Sequence, residues 1–292
     1  MIVNGTSDRV KGAVEELSTL PGQVHGIEAD VGDFSECRAL VEKTLERWGR
    51  IDILINNAGD EPARFNRVMS ELDPSDLASA LRVNVYGAYN LTLAAWGALK
   101  ERRSGRVVFV GSGHMFGSYG DLGLIPQAAA KAAVVGLTRS FACVGRTNGI
   151  RVNAVFPAAL DTGTNRGNWD LSIDEAEELA RLAPASMVAP VVGALAGGAS
   201  RVTGEMFSAC NHNVTRVFVG DGAAHDYTTH SSIEACLQTC LESTEYVVPQ
   251  SIGDFFARHL DAHSLDRLSA IQQRHRRASA KPGPVTDVGR LV

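Results

Sequence analysis

Short apolar runs alternate with longer amphipathic stretches along most of the chain, and this order restricts the fold more than any other feature. The runs have strand length, and the stretches after them place apolar residues three and four positions apart, as a helix with one buried face requires. Alternating strands and helices form a parallel sheet with helices on both faces. We therefore predict an α/β fold with a doubly wound, Rossmann-like parallel sheet, built from "MIV", "QVHGIEA", "IDILINNAG", "RVVFV" and "IRVNAVF".

The segment after "QVHGIEA" shows how local chemistry defines one of the helices. Asp33 is a residue type that caps helix starts, and Glu36 stands three residues later, as in a capping box. Gly49 supplies the left-handed conformation that commonly ends a helix. The sequence predicts a helix between these ends with one apolar stripe, formed by Cys37, Leu40, Val41, Leu45 and Trp48.

Composition limits the partners of such a fold. The 292 residues are 45% hydrophobic with a formal net charge of −5, so we expect a buried core and no nucleic-acid surface. We expect no membrane segment, because the run "MVAPVVGALAGGA" is shorter than a bilayer span. The five cysteines are an odd, dilute set, which indicates a reducing, cytoplasmic location. Compact sets of metal ligands are missing from the sequence, so we predict no metal.

Seven motifs in a fixed order give the chain a resemblance to the short-chain dehydrogenase/reductase (SDR) family. They are "EADVGD", "ILINNAG", "LRVNVYGAY", "GRVVFVGS", "AAAKAAVVGLT", "GIRVNAVFPAALDT" and "VTGEMF". The resemblance implies one Rossmann domain, which we place over residues 1–212. It also implies a family chemistry of hydride transfer between NAD(P) and a carbonyl or an alcohol.

The resemblance assigns the residues that would hold a nicotinamide cofactor. They are Asp30 at the adenine, Asn56, Ala58 and Gly59 in the turn beside the cofactor, and Pro157 with Thr162 at the nicotinamide end.

The catalytic positions of the family are only partly kept. The resemblance places Asn84, Ser112 and Lys131 at the water-relay, substrate-orienting and basic positions, whereas the position of the acid tyrosine holds Gln127. A carboxamide has no ionisable proton, and loss of a positioned acid costs roughly 10²–10⁴ in rate. A structural alternative stays open, in which Asn84 satisfies a helix kink and Lys131 is solvated.

The loop after Ser112 contains two residues that could replace the missing acid. His114 and Tyr119 both carry an exchangeable proton. The loop is, however, longer than the usual spacing between the serine and the tyrosine of the family. Both residues also fit an ordinary loop without a catalytic role.

The N-terminus departs from the family pattern at the phosphate-binding loop. Laying "VNGTSDRVKG" on the family's Thr-Gly-x-x-x-Gly-x-Gly loop matches Gly5 but puts Arg9 and Lys11 at the other glycine positions. Laying it on the family's second strand fits better, so we predict a sheet that lacks one N-terminal βα unit. The slot in the middle would need "MIVNG", an appended strand or a longer natural chain to fill it. We therefore expect no NAD(P) binding, or weak binding at most.

About eighty residues follow the point at which the family usually ends. We predict a C-terminal extension over residues 213–275, with "VTRVFVG" as a strand and "SIEACLQTCLES" and "SIGDFFARHL" as helices, and a mobile tail over residues 276–292. Similar extensions occur in family members that act on acyl or polycyclic substrates, which the resemblance implies as the substrate class.

Two classes of function agree with these observations, so the sequence leaves enzymatic activity open. The first is a pseudoenzyme, a non-redox partner subunit of an oligomer with an intact relative. The second is an atypical enzyme, either an NAD(P)-dependent keto/hydroxy oxidoreductase or a cofactor-free lyase, isomerase or cyclase. A fragment of a longer reductase is a third hypothesis.

In each case the helices that begin near Pro74 and Pro126 are the expected site of homo- or hetero-oligomer formation. Soluble monomers rarely expose a long apolar face, and the second of these helices carries one. The residues expected in this interface are Ala129, Ala133, Val134, Leu137 and Phe141.

Overall fold

The computed structural model describes residues 1–7, 9–59, 68–117, 124–157 and 172–259. The strands in these ranges are β1 (Ile2–Gly5), β2 (His25–Glu28), β3 (Ile53–Asn56), β4 (Arg106–Val110), β5 (Arg151–Pro157), β6 (Met206–Cys210), β7 (Asn213–Val217), β8 (Asp221–Gly222) and β9 (Tyr246–Val247). The α-helices are α1 (Arg9–Leu17), α2 (Phe34–Trp48), α3 (Pro74–Leu81), α4 (Ala88–Glu101), α5 (Ile125–Arg146), α6 (Ile173–Leu182), α7 (Ala189–Ala196), α8 (Ile233–Glu242) and α9 (Ile252–His259). The chain divides into two units, Met1–Phe218 and Val219–Val292.

The main sheet of the first unit has the order β3-β4-β5-β6-β7. The pairs from β3 to β6 are parallel, and β7 is antiparallel to β6. This mainly parallel sheet with helices on both faces confirms the predicted Rossmann-like fold. Because β7 hydrogen bonds to β6, the strand expected at the start of the C-terminal extension lies in the first unit, which ends beyond residue 212 at Phe218.

The two N-terminal strands form a separate sheet. β1 pairs in parallel with β2 from Ile2 opposite His25 to Gly5 opposite Glu28, so "MIVNG" does not lie beside β3. In the part of the chain that the structure describes, neither the second edge of β1 nor the free edge of β3 is paired. Ile53 and Ile55 on β3 are accordingly 49% and 44% exposed.

Each face of the main sheet has its own core. On one face α4 and α5 pack with Leu99, Phe109 and Phe156, all buried. On the other face Val108 and Val155 pack against α7. The alternation of buried side chains to both faces explains why β4 and β5 are continuous apolar runs.

The predicted helix after Asp33 is α2, and its ends follow the expected chemistry. The Asp33 carboxylate accepts hydrogen bonds from the Ser35 and Glu36 backbone N–H groups, and Gly49 ends the helix at φ 68°. The Glu36 carboxylate differs from the capping-box prediction, because it accepts a 2.7 Å bond from the Asp30 N–H. It therefore fixes the turn before the helix.

Helix α5 is the central helix of the first unit. Its 22 residues have the length and hydropathy of a membrane-crossing helix, a test that core helices also meet. One face of α5 packs on β5, and Val134 is only 2% exposed in that core. The expectation that Val134 contributes to a subunit interface is therefore wrong.

The second unit contains β8, β9, α8 and α9. β8 and β9 are antiparallel, and α8 and α9 coincide with the two helices expected in the extension. The Arg258 guanidinium donates to the Asp221 carboxylate at 2.8 Å and so ties α9 to β8. The predicted tail over residues 276–292 lies outside the described residues.

Candidate active site

The carboxyl ends of three adjacent parallel strands bring the expected site residues to one edge of the sheet. Asn56 ends β3, Ser112 follows β4, and Pro157 ends β5. Ligands of open α/β sheets bind at this edge because the loops after neighbouring strands converge there. The topology therefore groups residues that are far apart in sequence.

A buried hydrogen bond joins two of the predicted catalytic residues. The Lys131 Nζ on α5 donates to the Asn84 Oδ1 at 2.7 Å. Asn84 lies in a π-helical turn, Arg82–Gly87, and its Nδ2 donates to the Ala80 carbonyl at 2.9 Å. Asn84 therefore satisfies the irregular turn, as the structural alternative expects, and it also holds the lysine. Lys131 is buried, which differs from the solvated alternative.

Gly59 of the turn after β3 lies against this pair. A Cβ atom on Gly59 would stand 3.0 Å from the Asn84 Oδ1 and 3.4 Å from the Lys131 Nζ. Any side chain at this position would press on the hydrogen-bonded pair, so the glycine is needed for a close approach. Ala58 and Gly59 are both exposed.

Gln127 occupies the predicted position four residues before Lys131, on the first turns of α5. Its side chain is only 6% exposed, so the carboxamide is part of the interior of the site. A carboxamide can orient a polar group through its donor and its acceptor but cannot exchange a proton.

Ser112 and His114 belong to one short turn beside α5. Ser112 caps the 3₁₀ turn Gly113–Phe116, and its Oγ accepts from the His114 N–H at 3.3 Å. This turn packs against α5. Tyr119, the other candidate for a replacement acid, lies outside the described residues.

Asn56 has a structural role at the end of β3. Its Nδ2 donates to the Thr92 Oγ1 at 2.9 Å, and that hydroxyl donates to the Ala88 carbonyl at 2.7 Å. All three groups are buried, so the chain of bonds fastens β3 to α4. The turn that begins at Asn56 is thereby held in place beside Lys131.

Asp30, the expected adenine contact, forms an ion pair with Arg82. Its Oδ1 also accepts a 2.8 Å bond from the Gly32 N–H. The Arg82 hydrogen bond is the main reason that the pKa of Asp30 lies below its ordinary value. An adenine at this position would have to share the carboxylate with Arg82.

Gly5 is the residue of the N-terminal stretch that matches a glycine of the family's phosphate-binding loop. A Cβ atom on Gly5 would stand 3.0 Å from the Val10 Cγ2. Gly5 therefore lets α1 pack on β1 and does not open a nest for a pyrophosphate. Pro157 is buried at the end of β5, and Thr162 lies outside the described residues.

Sequence reasoning missed Arg82 as the partner of Asp30. The two residues are 52 positions apart, and only the packing of the π-helical turn beside the end of β2 brings them together. The sequence shows an arginine two residues before Asn84, but nothing in the sequence indicates that its partner is Asp30.

Comparison with known proteins agrees with this geometry. A family model described as short chain dehydrogenase matches residues 1–170. The (2S)-[(R)-hydroxy(phenyl)methyl]succinyl-CoA dehydrogenase subunit BbsD of Thauera aromatica is 36% identical over 156 residues, which is 53% of this chain and 60% of that protein. The 3-oxoacyl-[acyl-carrier-protein] reductase FabG of Salmonella typhimurium is 31% identical over 210 residues, covering 70% of this chain and 83% of that protein.

Solved structures show the same fold. A gluconate 5-dehydrogenase of Burkholderia cenocepacia, in complex with NADP and tartrate, has a TM-score of 0.62 at 23% identity, over 71% of this chain and 82% of that one. Levodione reductase has a TM-score of 0.62 at 28% identity, over 71% of this chain and 84% of that one. The chain spans 60% to 62% of the length of the first curated relatives it matches. From the fold and the match over residues 1–170, the chain belongs to the short-chain dehydrogenase family.

Proposed function

We propose that this protein is a partner subunit of an SDR oligomer and does not transfer hydride by itself. The observation that carries the proposal is Gln127, a buried carboxamide at the position where the family has its proton donor. Lys131, four residues later, retains a hydrogen bond to Asn84 but has no phenol on that position of α5 to act on. The site keeps its architecture and lacks its acid.

The phosphate cradle supports the same proposal. In the described part of the chain no glycine-rich turn joins a central strand to a helix, and Asp30 is already paired with Arg82. Weak binding of NAD(P) is what we expect from the positions that remain. The nicotinamide, when bound, would supply the hydride, and this chain would contribute only the turn after β3 and the end of β5.

A surface on α4 supports assembly with another subunit. Tyr86, Tyr89 and Leu93 are exposed and lie three to four residues apart, so they form one apolar stripe across the π-helical turn and α4. Aromatic side chains on a helix face are typical of subunit interfaces. The Thauera aromatica relative is named as one subunit of a dehydrogenase, which agrees with an assembly of more than one chain.

The second candidate is an atypical oxidoreductase with a substitute acid, or a catalyst without a cofactor. The buried Lys131–Asn84 pair favours it, because burying a lysine costs free energy. A lysine without a function at this position would be replaced at no loss. Several relatives are named as reductases or dehydrogenases. For such an enzyme we propose a keto or hydroxy substrate with an acyl or polycyclic body. For either candidate we propose a cytoplasmic location.

The deciding experiment measures cofactor binding and turnover of the purified chain, alone and after coexpression with an intact relative. The partner-subunit proposal expects that calorimetry detects no binding of NADH or NADPH at micromolar concentration for the chain alone. It also expects a mixed oligomer whose activity is lost when the catalytic tyrosine of the relative is replaced by phenylalanine. Leu93→Asp should dissociate the oligomer, whereas the exposed control Leu241→Asp on α8, outside the expected interface helices, should not. NADPH binding at micromolar concentration together with turnover by the chain alone would support the oxidoreductase instead.

A further inference from the structure

An arginine-rich cavity lies at the edge of the main sheet opposite the candidate active site. It has a volume of about 650 Å³ and is formed where β3, β4 and β5 begin. Five arginines line it together with a single carboxylate: Arg103, Arg106, Arg146, Arg151, Arg201 and Asp52. The remaining lining includes small and apolar groups. A cavity of this size admits a ligand of about nucleotide dimensions.

The carboxylate in the cavity does not neutralise these arginines. Asp52 accepts from Arg50 at 2.7 Å and from Arg102 at 3.2 Å, and neither of these belongs to the five. These two partners hold the pKa of Asp52 below its ordinary value. Among the described residues no carboxylate pairs with Arg106, Arg151 or Arg201.

Arg106, the first residue of β4, lines the cavity and is only 5% exposed. Its Nη1 donates to the carbonyls of Ser104 and Gly105 at 2.6 and 3.1 Å, and its buried Nε has no partner in the described part of the chain. A buried cation normally has an acid beside it. Here burial, and then the charges of Arg151 and Arg201, lower the pKa of Arg106.

The ends of two helices do not balance this charge. Helix α5 ends at Arg146 and α7 ends at Ala196, so two helix C-termini reach the cavity. A helix terminus is equivalent to about half an elementary negative charge. Two such ends leave most of the positive charge of Arg106, Arg151 and Arg201 uncompensated.

We propose that this cavity binds a small anion that carries two or more phosphate groups. Guanidinium groups bind phosphate with two parallel hydrogen bonds, and several of them around one cavity match a ligand with several phosphate oxygens. The site is separate from the edge that holds Lys131 and Asn84, since the amino ends of β3, β4 and β5 form one edge and their carboxyl ends the other. The proposal does not rest on the activity proposed above.

The test is a calorimetric titration of the full chain with inorganic pyrophosphate at constant ionic strength. We expect a dissociation constant below about 1 mM, and weaker binding of inorganic phosphate, because pyrophosphate engages more guanidinium groups. Arg151→Gln and Arg201→Gln should each weaken binding by about tenfold or more. Arg38→Gln on α2, a matched surface change away from the cavity, should leave the binding of pyrophosphate unchanged.

Two outcomes would overturn the proposal. One is an absence of pyrophosphate binding up to about 5 mM, a concentration well above the dissociation constant that we expect for the site. The other is equal binding by the wild type and by the double variant Arg151→Gln/Arg201→Gln, which would mean an adventitious ion only. In the first outcome, binding of hexaglutamate would indicate that the cavity takes an acidic protein segment. Circular dichroism of each variant separates loss of the site from loss of the fold.

Discussion

The Lys131 Nζ and the Asn84 Oδ1 are 2.7 Å apart in the interior of the first unit. Because the amide also donates to the Ala80 carbonyl, one asparagine links the core helix to the π-helical turn. Such turns are frequent at functional sites. The pair therefore holds the site together whether or not the protein catalyses a reaction.

Replacing Asn84 should destabilise the protein. We expect Asn84→Ala to lower the free energy of unfolding by about 2–3 kcal/mol, because the buried ammonium group of Lys131 loses an acceptor. The measurement is urea unfolding followed by circular dichroism. Asn90→Ala is the matched control: its amide makes only contacts of 3.4 and 3.5 Å with backbone carbonyls, so we expect a smaller loss. Equal losses would show that the lysine does not depend on this bond.

Restoring the family tyrosine should not restore an enzyme. We expect Gln127→Tyr to give less than about a tenfold increase in NADPH oxidation with a generic ketone, because the phenol regains Lys131 but the described chain still lacks a phosphate cradle. The double variant Gln127→Tyr/Lys131→Met is the control for background reaction. Robust turnover by the single variant would contradict our interpretation of the N-terminal residues.

The ion pair of Asp30 with Arg82 should contribute to stability in a pH-dependent way. The folded pKa of Asp30 is lowered from 3.8, chiefly by the Arg82 hydrogen bond, so the contribution is fully present above about pH 4 and is lost as the pH falls from there through the lower folded pKa. We expect Asp30→Asn to cost about 1 kcal/mol or less at pH 7, because the pair is partly exposed. The difference from wild type in urea unfolding should shrink near pH 3. Glu42→Gln should show little difference at either pH, and a constant cost for Asp30→Asn would argue against the pair.

Thiol labelling should distinguish a buried cysteine from an exposed one. Burial, followed by the charges of Asp33, Asp30 and Glu36, raises the pKa of Cys37 to about 11, and its Sγ donates to the Val31 carbonyl at 3.2 Å. Because only the thiolate is a strong nucleophile, we expect iodoacetamide at pH 8 to modify the exposed Cys240 first. Peptide mass spectrometry at increasing times checks the order. Early modification of Cys37 would mean that α2 opens readily.

The free edge of β3 can be tested with a charge. We expect Ile55→Lys to change the free energy of unfolding by less than about 0.5 kcal/mol, because this side chain is half exposed, and to reduce aggregation. Val108→Lys, on the paired neighbour strand and fully buried, should abolish folding. A loss of several kcal/mol for Ile55→Lys would show that another segment covers this edge.

Most strands and helices could be predicted from the sequence, because the patterns that indicate them lie in consecutive residues. The helix from Asp33 to Gly49 was predictable in this way. Val134 was misplaced because an Ala-rich helix has more than one apolar face, and only the tertiary contacts decide which is buried. The sequence places β7 in the extension because "VTGEMF", the last motif of the family, leads into β6, whereas β7 pairs with β6 in the first unit.

The arginine-rich cavity shows a different limit. Its arginines come from the start of β4 and the residues before it, from the end of α5 and the start of β5, and from the residues before β6, so no short motif contains them. A signal was available in hindsight: β4 and β5 both begin with arginine, and neighbouring parallel strands bring their first residues together. Arg106 and Arg151 are in fact directly opposite in the register. Like charges at such a position require a physical reason.

The break between β1 and β3 also determines how the first unit loses structure. The two sheets share no backbone pairing in the described ranges, so their coupling depends on side chains such as Leu91, which packs against the cores of both. In a continuous sheet the middle strands open only when the whole domain unfolds. Here β1, α1 and β2 form an arm that can detach as one cooperative segment. Amide hydrogen exchange in β1 and β2 therefore reports the opening of this arm, while exchange in β4 and β5 reports global unfolding of the unit.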